Sequence, residues 1–483
     1  MTEQAQHSAP QTGGGTRAVR PTSKTLQNWA AVLEAILIFG GSPQVPLTPA
    51  RLRVGTAQVQ GLPDIPPSTL RSWTKELFAY NLIEQRRLGY QLGAGCGQVV
   101  GVALGTQSVR GGLYNANGVP IGPRVDNMPP LPGQLHGPVE DALERVGEVV
   151  RRLLEGRDAA SVLGVALALP APINREGYVC AVCHESWCGE RFGDLLRKQL
   201  AGVIPEGCVV DTVNDANADV LNLAFKLARS QAANPHRSRR STVLMTIRLS
   251  GGVGAGIMKL GAHDPSAGFA FSRSSLIVGT HGFAGEIGHQ PMNDPESAPG
   301  NGGVPCSCGA VAAKHLEEFV SAPAVLARLR SAGVTAADEN QPWGPQFQSA
   351  WLMQNAVARE LLRETGKILG RGVASAVRLV DPGILQLTGT LGHLDDVKDG
   401  MRAEAERWYQ GLHHDVSIKS NGGDKFTAVR GAALMVFRRH IYRDLPGIAE
   451  AATKSTDPKK SLDGATSENS ATPGSSASTR AID

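Results

Sequence analysis

The chain has 483 residues, of which 41% are hydrophobic and 19% charged, and its formal net charge is +4. Its 57 glycines follow no G-X-Y period, which excludes collagen, and no run of about 18 apolar residues predicts a membrane span. Seven cysteines, an odd number in so long a chain, argue against a disulfide scaffold and leave metal binding or reduced thiols. Since the N-terminus lacks a basic-then-apolar signal, we expect a cytoplasmic protein without a membrane partner.

The positive charge is concentrated at one end of the chain. Residues 1–95 hold nine Lys or Arg and five Asp or Glu, so they account for the whole surplus and the remainder is neutral. A basic head on a neutral body is typical of a nucleic-acid contact at that end. A chance surplus of four charges is the alternative, and charge alone does not separate the two.

The N-terminal segment predicts three helices and a hairpin. The helices are LQNWAAVLEAILIF at 26–39, a second that begins at Thr48-Pro49, and PSTLRSWTKELFAYNL at 67–82, with Ser68 or Thr69 as the cap of the third. IEQRRLGYQLG then predicts a short basic hairpin. This order indicates a winged helix-turn-helix over 23–95, preceded by a Gln-, Ser- and Gly-rich segment, 1–22, that we expect to be disordered.

In a winged helix-turn-helix the last helix enters the major groove of DNA, and residues near its N-terminus reach the bases. A solvated helix face is the alternative for such polar side chains. The predicted DNA-contacting residues are Ser68, Thr69, Arg71, Ser72 and Lys75 on the third helix and Arg86 and Arg87 in the hairpin.

From Val99 onward the pattern becomes α/β. Two halves, each opening with hairpin strands around a glycine turn, predict two lobes with a cleft between them over 96–448. The tail at 449–483, rich in Ser, Thr, Ala and Lys, is expected to be disordered.

Two polar motifs fall in this α/β part. Asn214 and Asp215 follow a buried strand, where α/β folds place ligand groups, and their carboxylate and amide suit sugar hydroxyls. An Asx-turn or helix cap is the alternative for this motif alone. Glu286 and His289 are three residues apart on a glycine-bracketed segment, so both are expected to face one ligand.

Three motifs in combination, NDANA (214–218), GEIGH (285–289) and CSCG (306–309), resemble the ROK family of sugar-responsive repressors and sugar kinases. The resemblance implies a two-lobed fold similar to the actin and hexokinase ATPases, with sugar bound by Asn214, Asp215, Glu286 and His289. An N-terminal winged helix is typical of the repressor branch of that family.

The family's C-x-C-G-x-x-G-C-x-E pattern implies a zinc site, but its third cysteine is missing from this chain. A two-residue insertion aligns KHLEEFVS with the end of the pattern, so that His315 replaces the cysteine and Glu317 is the sugar-contacting glutamate. The implied zinc ligands are His289, Cys306, Cys308 and His315, a closed structural set. A degenerate loop without metal is the alternative.

The turns that hold ATP in the kinase branch are altered in this chain. The D-x-G-G-T pattern reads ALGTQ at 103–107, the G-T-G-x-G pattern reads SGGVG at 250–254, and a later Gly-Gly reads Thr388-Gly389. The first hypothesis is therefore a transcriptional regulator of carbohydrate-metabolism genes, expected to be a repressor, which binds a double-stranded operator as a homodimer or homotetramer. It responds to a sugar or sugar phosphate and uses no ATP or Mg²⁺.

Two alternatives remain at the level of sequence. One is an ATP-dependent kinase for a hexose or N-acetyl-hexosamine, with Asp215 as the catalytic base. The other is a sugar-binding protein whose head contacts another protein instead of DNA.

Overall fold

The computed structural model describes residues 22–40, 47–87, 89–128, 138–180, 185–233, 241–261, 271, 274–292, 308, 314–335, 341–349, 354–408 and 416–441. Cys306 and the segments 1–21 and 449–483 lie outside the described residues, so the expected disorder at both ends stays a prediction. Within these ranges, none of the helices combines the length and apolar character that crossing a bilayer requires.

The N-terminal segment folds into three helices and a hairpin. They are α1 (Ser23–Phe39), α2 (Pro49–Gln60), α3 (Pro67–Ala79), β1 (Ile83–Arg86) and β2 (Gly89–Leu92). The apolar face of α1 is buried, and Trp29 Nε1 donates a hydrogen bond of 2.9 Å to Glu76 Oε2 on α3. Thr48 caps α2 and Pro49 occupies its first turn, as the sequence predicts.

Two predictions about α3 are wrong. Pro66 occupies the cap position without a side-chain hydrogen bond, and Pro67 begins the helix, so neither Ser68 nor Thr69 is the cap. Proline has a fixed φ suited to a first helical turn, which allows the helix to start this early. The helix also ends at Ala79 instead of Leu82, because Asn81 adopts a left-handed φ of 55° and the chain turns into β1.

Two five-stranded mixed sheets follow, and they have the same topology, β5-β4-β3-β6-β7 and β10-β9-β8-β11-β12. In the first sheet, β3 pairs antiparallel with β4 and parallel with β6. In the second sheet, β8 pairs in the same way with β9 and β11. The predicted α/β halves that open on a hairpin are confirmed. The strands are β3 (Gln98–Leu104), β4 (Val109–Asn115), β5 (Val125–Met128), β6 (Val162–Leu169), β7 (Val209–Asn214), β8 (Thr242–Leu249), β9 (Val253–Leu260), β10 (Ser275–Ile277), β11 (Ile384–Thr388) and β12 (Ser417–Ser420).

Helices cover the faces of both sheets. They are α4 (Val139–Leu154), α5 (Phe192–Gln199), α6 (Asp215–Ala233), α7 (Glu317–Val320), α8 (Ala322–Ser331), α9 (Trp343–Gln348), α10 (Ala356–Val380), α11 (Asp395–Ala405) and α12 (Thr427–Val436). On the first sheet, α4 and α12 pack against β3 from opposite faces. Residues of α7, α8 and α10 share a buried apolar cluster with β8, β9 and β11 of the second sheet.

Helix α6 lies between the two sheets and contacts α12 on one side and β8 and β9 on the other. Glycine permits both close approaches, because a Cβ on Gly431 or Gly256 would collide with the carbonyl oxygens of Ala218 and Ala216. Thr246 Oγ1 also donates a 3.0 Å hydrogen bond to Ala216 O. The N-terminus of α6 is therefore fixed by both lobes, at the edge where the polar motifs gather.

Candidate functional site

Asn214 ends β7 and serves as the cap of α6. Its Oδ1 accepts hydrogen bonds from the backbone N–H groups of Ala216 at 3.0 Å and Asn217 at 3.1 Å, and its Nδ2 donates to Ala171 O at 3.2 Å. The amide oxygen thus has both lone pairs engaged, and one N–H remains for another acceptor. The helix-cap interpretation accounts for these contacts and leaves Asn214 at most a donor to a ligand.

Asp215 is held by a half-buried arginine that the sequence analysis missed. Arg248 Nε lies 2.8 Å from Asp215 Oδ2, and Arg248 Nη1 donates to Asp219 Oδ2 at 2.8 Å. Burial raises the pKa of the Asp215 carboxyl above its usual value, and the Arg248 guanidinium opposes that shift. An arginine as the one charged residue in the strand TVLMTIRL was the available signal, because a charge in a mostly buried strand needs a partner.

Glu286, His289 and Glu317 form the other side of the site. The two ring nitrogens of His289 lie 3.9 Å from Glu286 Oε2 and 3.9 Å from Glu317 Oε1. Burial, with the charges of Asp215 and Glu317, raises the pKa of Glu286 to about 7. These couplings show that the predicted sugar-binding side chains converge on one place, as the sequence pattern indicates.

Glycines leave room for these carboxylates. A Cβ on Gly252 or on Gly288 would lie 3.1 Å from Glu317 Oε2. Gly285 has a φ of 101°, which favours glycine, and its carbonyl accepts the N–H of Ala255 at 2.7 Å. The segment that carries Glu286 and His289 is thereby fixed against β9.

Three candidate metal ligands meet beside this site. Ligand atoms of His289, Cys308 and His315 all lie within 4.8 Å of one another. Cys308 Sγ is 3.3 Å from His315 Nδ1, close to the separation of about 3.6 Å that a tetrahedral zinc imposes on a sulfur and a nitrogen ligand. The donor set therefore fits a metal ion, and the predicted fourth ligand, Cys306, lies outside the described residues.

Backbone pairing holds the two histidines together. Met292 N donates to Lys314 O at 2.8 Å, and Leu316 N donates to Gln290 O at 3.0 Å. The His289 and His315 rings stand edge to face with centroids 5.6 Å apart. The metal-ligand group and Glu317 are thus parts of one local structure.

The turns at 103–107 and 250–254, which the sequence pattern predicts to be altered phosphate turns, face each other across the cleft. A Cβ on Gly251 would lie 2.7 Å from Thr106 Cγ2 and 3.2 Å from Trp343 Cζ3. Gln107 Oε1 accepts a 2.7 Å hydrogen bond from the backbone N–H of Trp343, which fixes α9 against the first turn. A cavity of about 160 Å³ remains among these turns, α9 and the segment after β11.

The predicted DNA-contacting residues lie on one part of the head. Ser68, Arg71, Ser72 and Lys75 are exposed on α3, and Thr69 is half-buried in its first turn. Arg86 and Arg87 are exposed at the hairpin, where Arg86 Nε lies 2.9 Å from Glu84 Oε1. These side chains are accessible to a partner.

The head is joined to the body by a buried asparagine. Asn117 Oδ1 accepts a hydrogen bond from Leu92 N at 3.3 Å, and its Nδ2 donates one to Leu92 O at 2.9 Å. Asn117 therefore binds the backbone of the hairpin strand β2 at both polar groups of one residue. Arg229 on α6 donates to Asn117 O at 3.0 Å, and α1 packs against α6. The helix that begins at Asp215 therefore reaches the head through its C-terminal half.

Residues 99–439 match the sequence pattern of the ROK family. A protein of Caldicellulosiruptor sp. named "Putative xylose repressor" is 21% identical over 406 residues, which cover 79% of this chain and 91% of that protein. A glucokinase of Halalkalibacterium halodurans is 28% identical over 199 residues, which cover 41% of this chain and 49% of the enzyme.

Solved structures are similar in fold. A ROK family transcriptional regulator, a homologue of the E. coli MLC protein, is 19% identical with a TM-score of 0.56, covering 88% of this chain and 99% of that one. A ROK family glucokinase from Streptomyces griseus in complex with glucose and AMPPNP is 20% identical with a TM-score of 0.50, covering 70% of this chain and 99% of the enzyme. At these identities the likeness establishes the fold alone.

Proposed function

The chain belongs to the ROK family, and on that premise we propose that it is a sugar-responsive, DNA-binding transcriptional regulator whose kinase-like body has lost its ATP site. The observation that carries this proposal is the pair of facing turns. Thr106 occupies the space that a threonine at Gly251 would need, and Ala103 supplies no carboxylate for Mg²⁺. The sugar side of the cleft keeps its carboxylates and histidine.

The sugar-binding residues in this proposal are Asn214, Asp215, Glu286, His289 and Glu317. Carboxylates accept hydrogen bonds from sugar hydroxyls, and the Asn214 amide retains one N–H to donate. Arg248 keeps Asp215 paired with a positive charge, which favours a hydrogen-bond acceptor over a proton-abstracting base. Sugar in this position contacts groups from both lobes and so favours one arrangement of them.

The head is proposed to be a winged helix-turn-helix over 23–95, with α3 in the major groove and the basic hairpin as the wing. Its support is the exposure of Arg71 and Lys75 one turn apart, together with the basic surplus of this segment. A dimer or higher oligomer would place two heads on a two-part operator. The curated relative named as a xylose repressor favours DNA as the partner over a protein.

We also propose zinc as the metal, held by His289, Cys308 and His315 with Cys306. When bound, it cross-links the segments that carry Glu286 and Glu317 and performs no chemistry on the sugar. Elemental analysis of the purified chain is expected to find about one zinc per chain, reduced in Cys308→Ser but not in the exposed-thiol control Cys188→Ser. Wild-type protein without zinc would contradict the site.

Mobility-shift titrations of the full chain on the DNA upstream of its own coding sequence test the DNA assignment. Arg71→Ala plus Lys75→Ala should weaken binding and lower its salt dependence, because two phosphate- or base-contacting cations are lost. The control Arg151→Ala plus Arg152→Ala removes the same charge from the exposed face of α4 in the body. Unchanged, sequence-selective binding by the α3 variant would reject that helix as the DNA reader.

Two observations favour the kinase alternative: the carboxylate of Asp215 lies at the N-terminus of α6 in the cleft, and one of the relatives is a glucokinase. A coupled assay with ATP, Mg²⁺ and a panel of hexoses and N-acetyl-hexosamines tests it. We expect no turnover above background. Turnover that Asp215→Ala abolishes would establish the kinase instead.

A further inference from the structure

We propose that the cavity at the altered phosphate turns binds the second ring of a disaccharide or glycoside, so that the effector is larger than a monosaccharide. This inference rests on the proposed function, because it extends the sugar site defined by Asp215, Glu286, His289 and Glu317. It assigns the space that the lost ATP site leaves to a neutral, hydroxylated ligand.

The cavity lies next to the proposed sugar site. Arg248 contacts Asp215 and also lines the cavity. On the neighbouring turn, Gly252 lies against Glu317, whereas Gly251 lies against Trp343. A ligand bound at the carboxylates therefore meets the cavity within one residue of the same turn.

The lining of the cavity suits a sugar ring. Trp343 offers an apolar face with a polar edge, and Thr106, Ser250 and Thr390 offer hydroxyls. Ligand sites of this kind combine an apolar surface with a few polar groups that fix orientation. A pyranose has the matching chemistry, an apolar C–H face and a rim of hydroxyls.

The charges that line the cavity argue against a phosphate in it. Arg110 Nε lies 2.9 Å from Asp126 Oδ1, and Lys425 Nζ lies 3.9 Å from Asp126 Oδ2. Arg248 is shared by two carboxylates at 2.8 Å each. Since each of these three cations already has a carboxylate partner, a phosphate would have to compete with those carboxylates, whereas a neutral ligand would not. The one lining carboxylate, Asp424, is likewise paired, with Arg430 at 3.2 Å.

The cavity is also held in shape from several sides. Trp343 N donates to Gln107 in the first lobe, and Gln348 Nε2 lies 3.0 Å from His393 Nε2 after β11. Ser250 Oγ and Thr390 Oγ1, which both belong to lining residues, are 3.1 Å apart. Because the lining side chains are already held in place, little conformational entropy is lost when a ligand binds, which favours a defined second subsite.

Calorimetric titration of the full chain tests the proposal with matched probes: glucose against maltose, cellobiose and gentiobiose, xylose against xylobiose, and glucose 6-phosphate. We expect at least one disaccharide to bind tenfold or more tightly than its monosaccharide. Trp343→Ala should remove that advantage while monosaccharide affinity stays within about twofold, and Trp343→Phe should restore part of it, because phenylalanine keeps an aromatic face. Thermal unfolding of each variant verifies that it is folded.

Three results would overturn the proposal: equal affinity for monosaccharides and their disaccharides, tightest binding of glucose 6-phosphate, or an equal loss for both sugar sizes in Trp343→Ala. If any of these results is found while a monosaccharide still binds and Asp215→Asn abolishes that binding, the proposed sugar-responsive function stands and only the second subsite is rejected. Failure of every sugar to bind would instead reject the proposed function itself.

Discussion

Thr106 and Gly251 lie at equivalent turns of the two sheets and face each other so closely that a Cβ on Gly251 would come within 2.7 Å of Thr106 Cγ2. The kinase pattern has glycine at the first of these positions and threonine at the second. This chain therefore has the reverse pair. The side chain of Thr106 fills the space that a threonine at position 251 would occupy.

Gly251→Thr alone is expected to destabilise the fold by about 1–3 kcal/mol, because the new side chain overpacks against Thr106 and Trp343. Adding Thr106→Gly should restore much of the loss, giving a coupling free energy of about 0.5–3 kcal/mol in a double-mutant cycle. Urea unfolding of the four proteins measures it. Additive effects would show that the two turns do not compensate each other.

Arg248→Met is expected to cost about 3–5 kcal/mol of unfolding free energy, because it leaves the Asp215 and Asp219 carboxylates buried without their cation. Arg110→Met is the matched control, since its partner Asp126 is more exposed and the pair contributes about 0–1 kcal/mol. Urea unfolding compares the two. Equal losses would mean that Arg248 does not neutralise the carboxylates of the site.

Asn117→Ala is expected to leave DNA binding in place and to weaken the effect of sugar on it. The substitution removes both hydrogen bonds to Leu92 and so loosens the head from the body, at a cost of about 1–3 kcal/mol. DNA affinity with and without sugar measures the coupling. Asn174→Ala, which removes a turn asparagine elsewhere in the body, is the control. If sugar changes the DNA affinity of Asn117→Ala as much as that of the wild type, the contact between Asn117 and Leu92 does not couple sugar binding to the head.

Local patterns in the sequence were sufficient for much of the fold. The apolar spacing of α1 and α3, the Thr48-Pro49 start of α2 and the paired hairpin strands each depend on neighbouring residues, so they were predictable. The start of α3 at Pro67 was predicted correctly, but its cap was wrong, because Pro66 holds the cap position and neither Ser68 nor Thr69 caps the helix.

The site was predictable only where a motif marked it. Asp215, Glu286 and His289 stand in recognisable motifs, and the structure brings them together. Arg248 was missed because its role depends on a partner 29 residues away, and Trp343 because its contact with Gln107 spans 236 residues. Such pairs meet only in the folded chain, so no local pattern predicts them.

The most direct test of the central claim is the DNA affinity of the full chain, titrated with and without each sugar that raises its melting temperature. The account predicts that at least one such sugar changes the Kd for DNA by about 5–150-fold, and that Asp215→Asn abolishes the change. An identical Kd with and without every sugar that binds would contradict a sugar-responsive regulator.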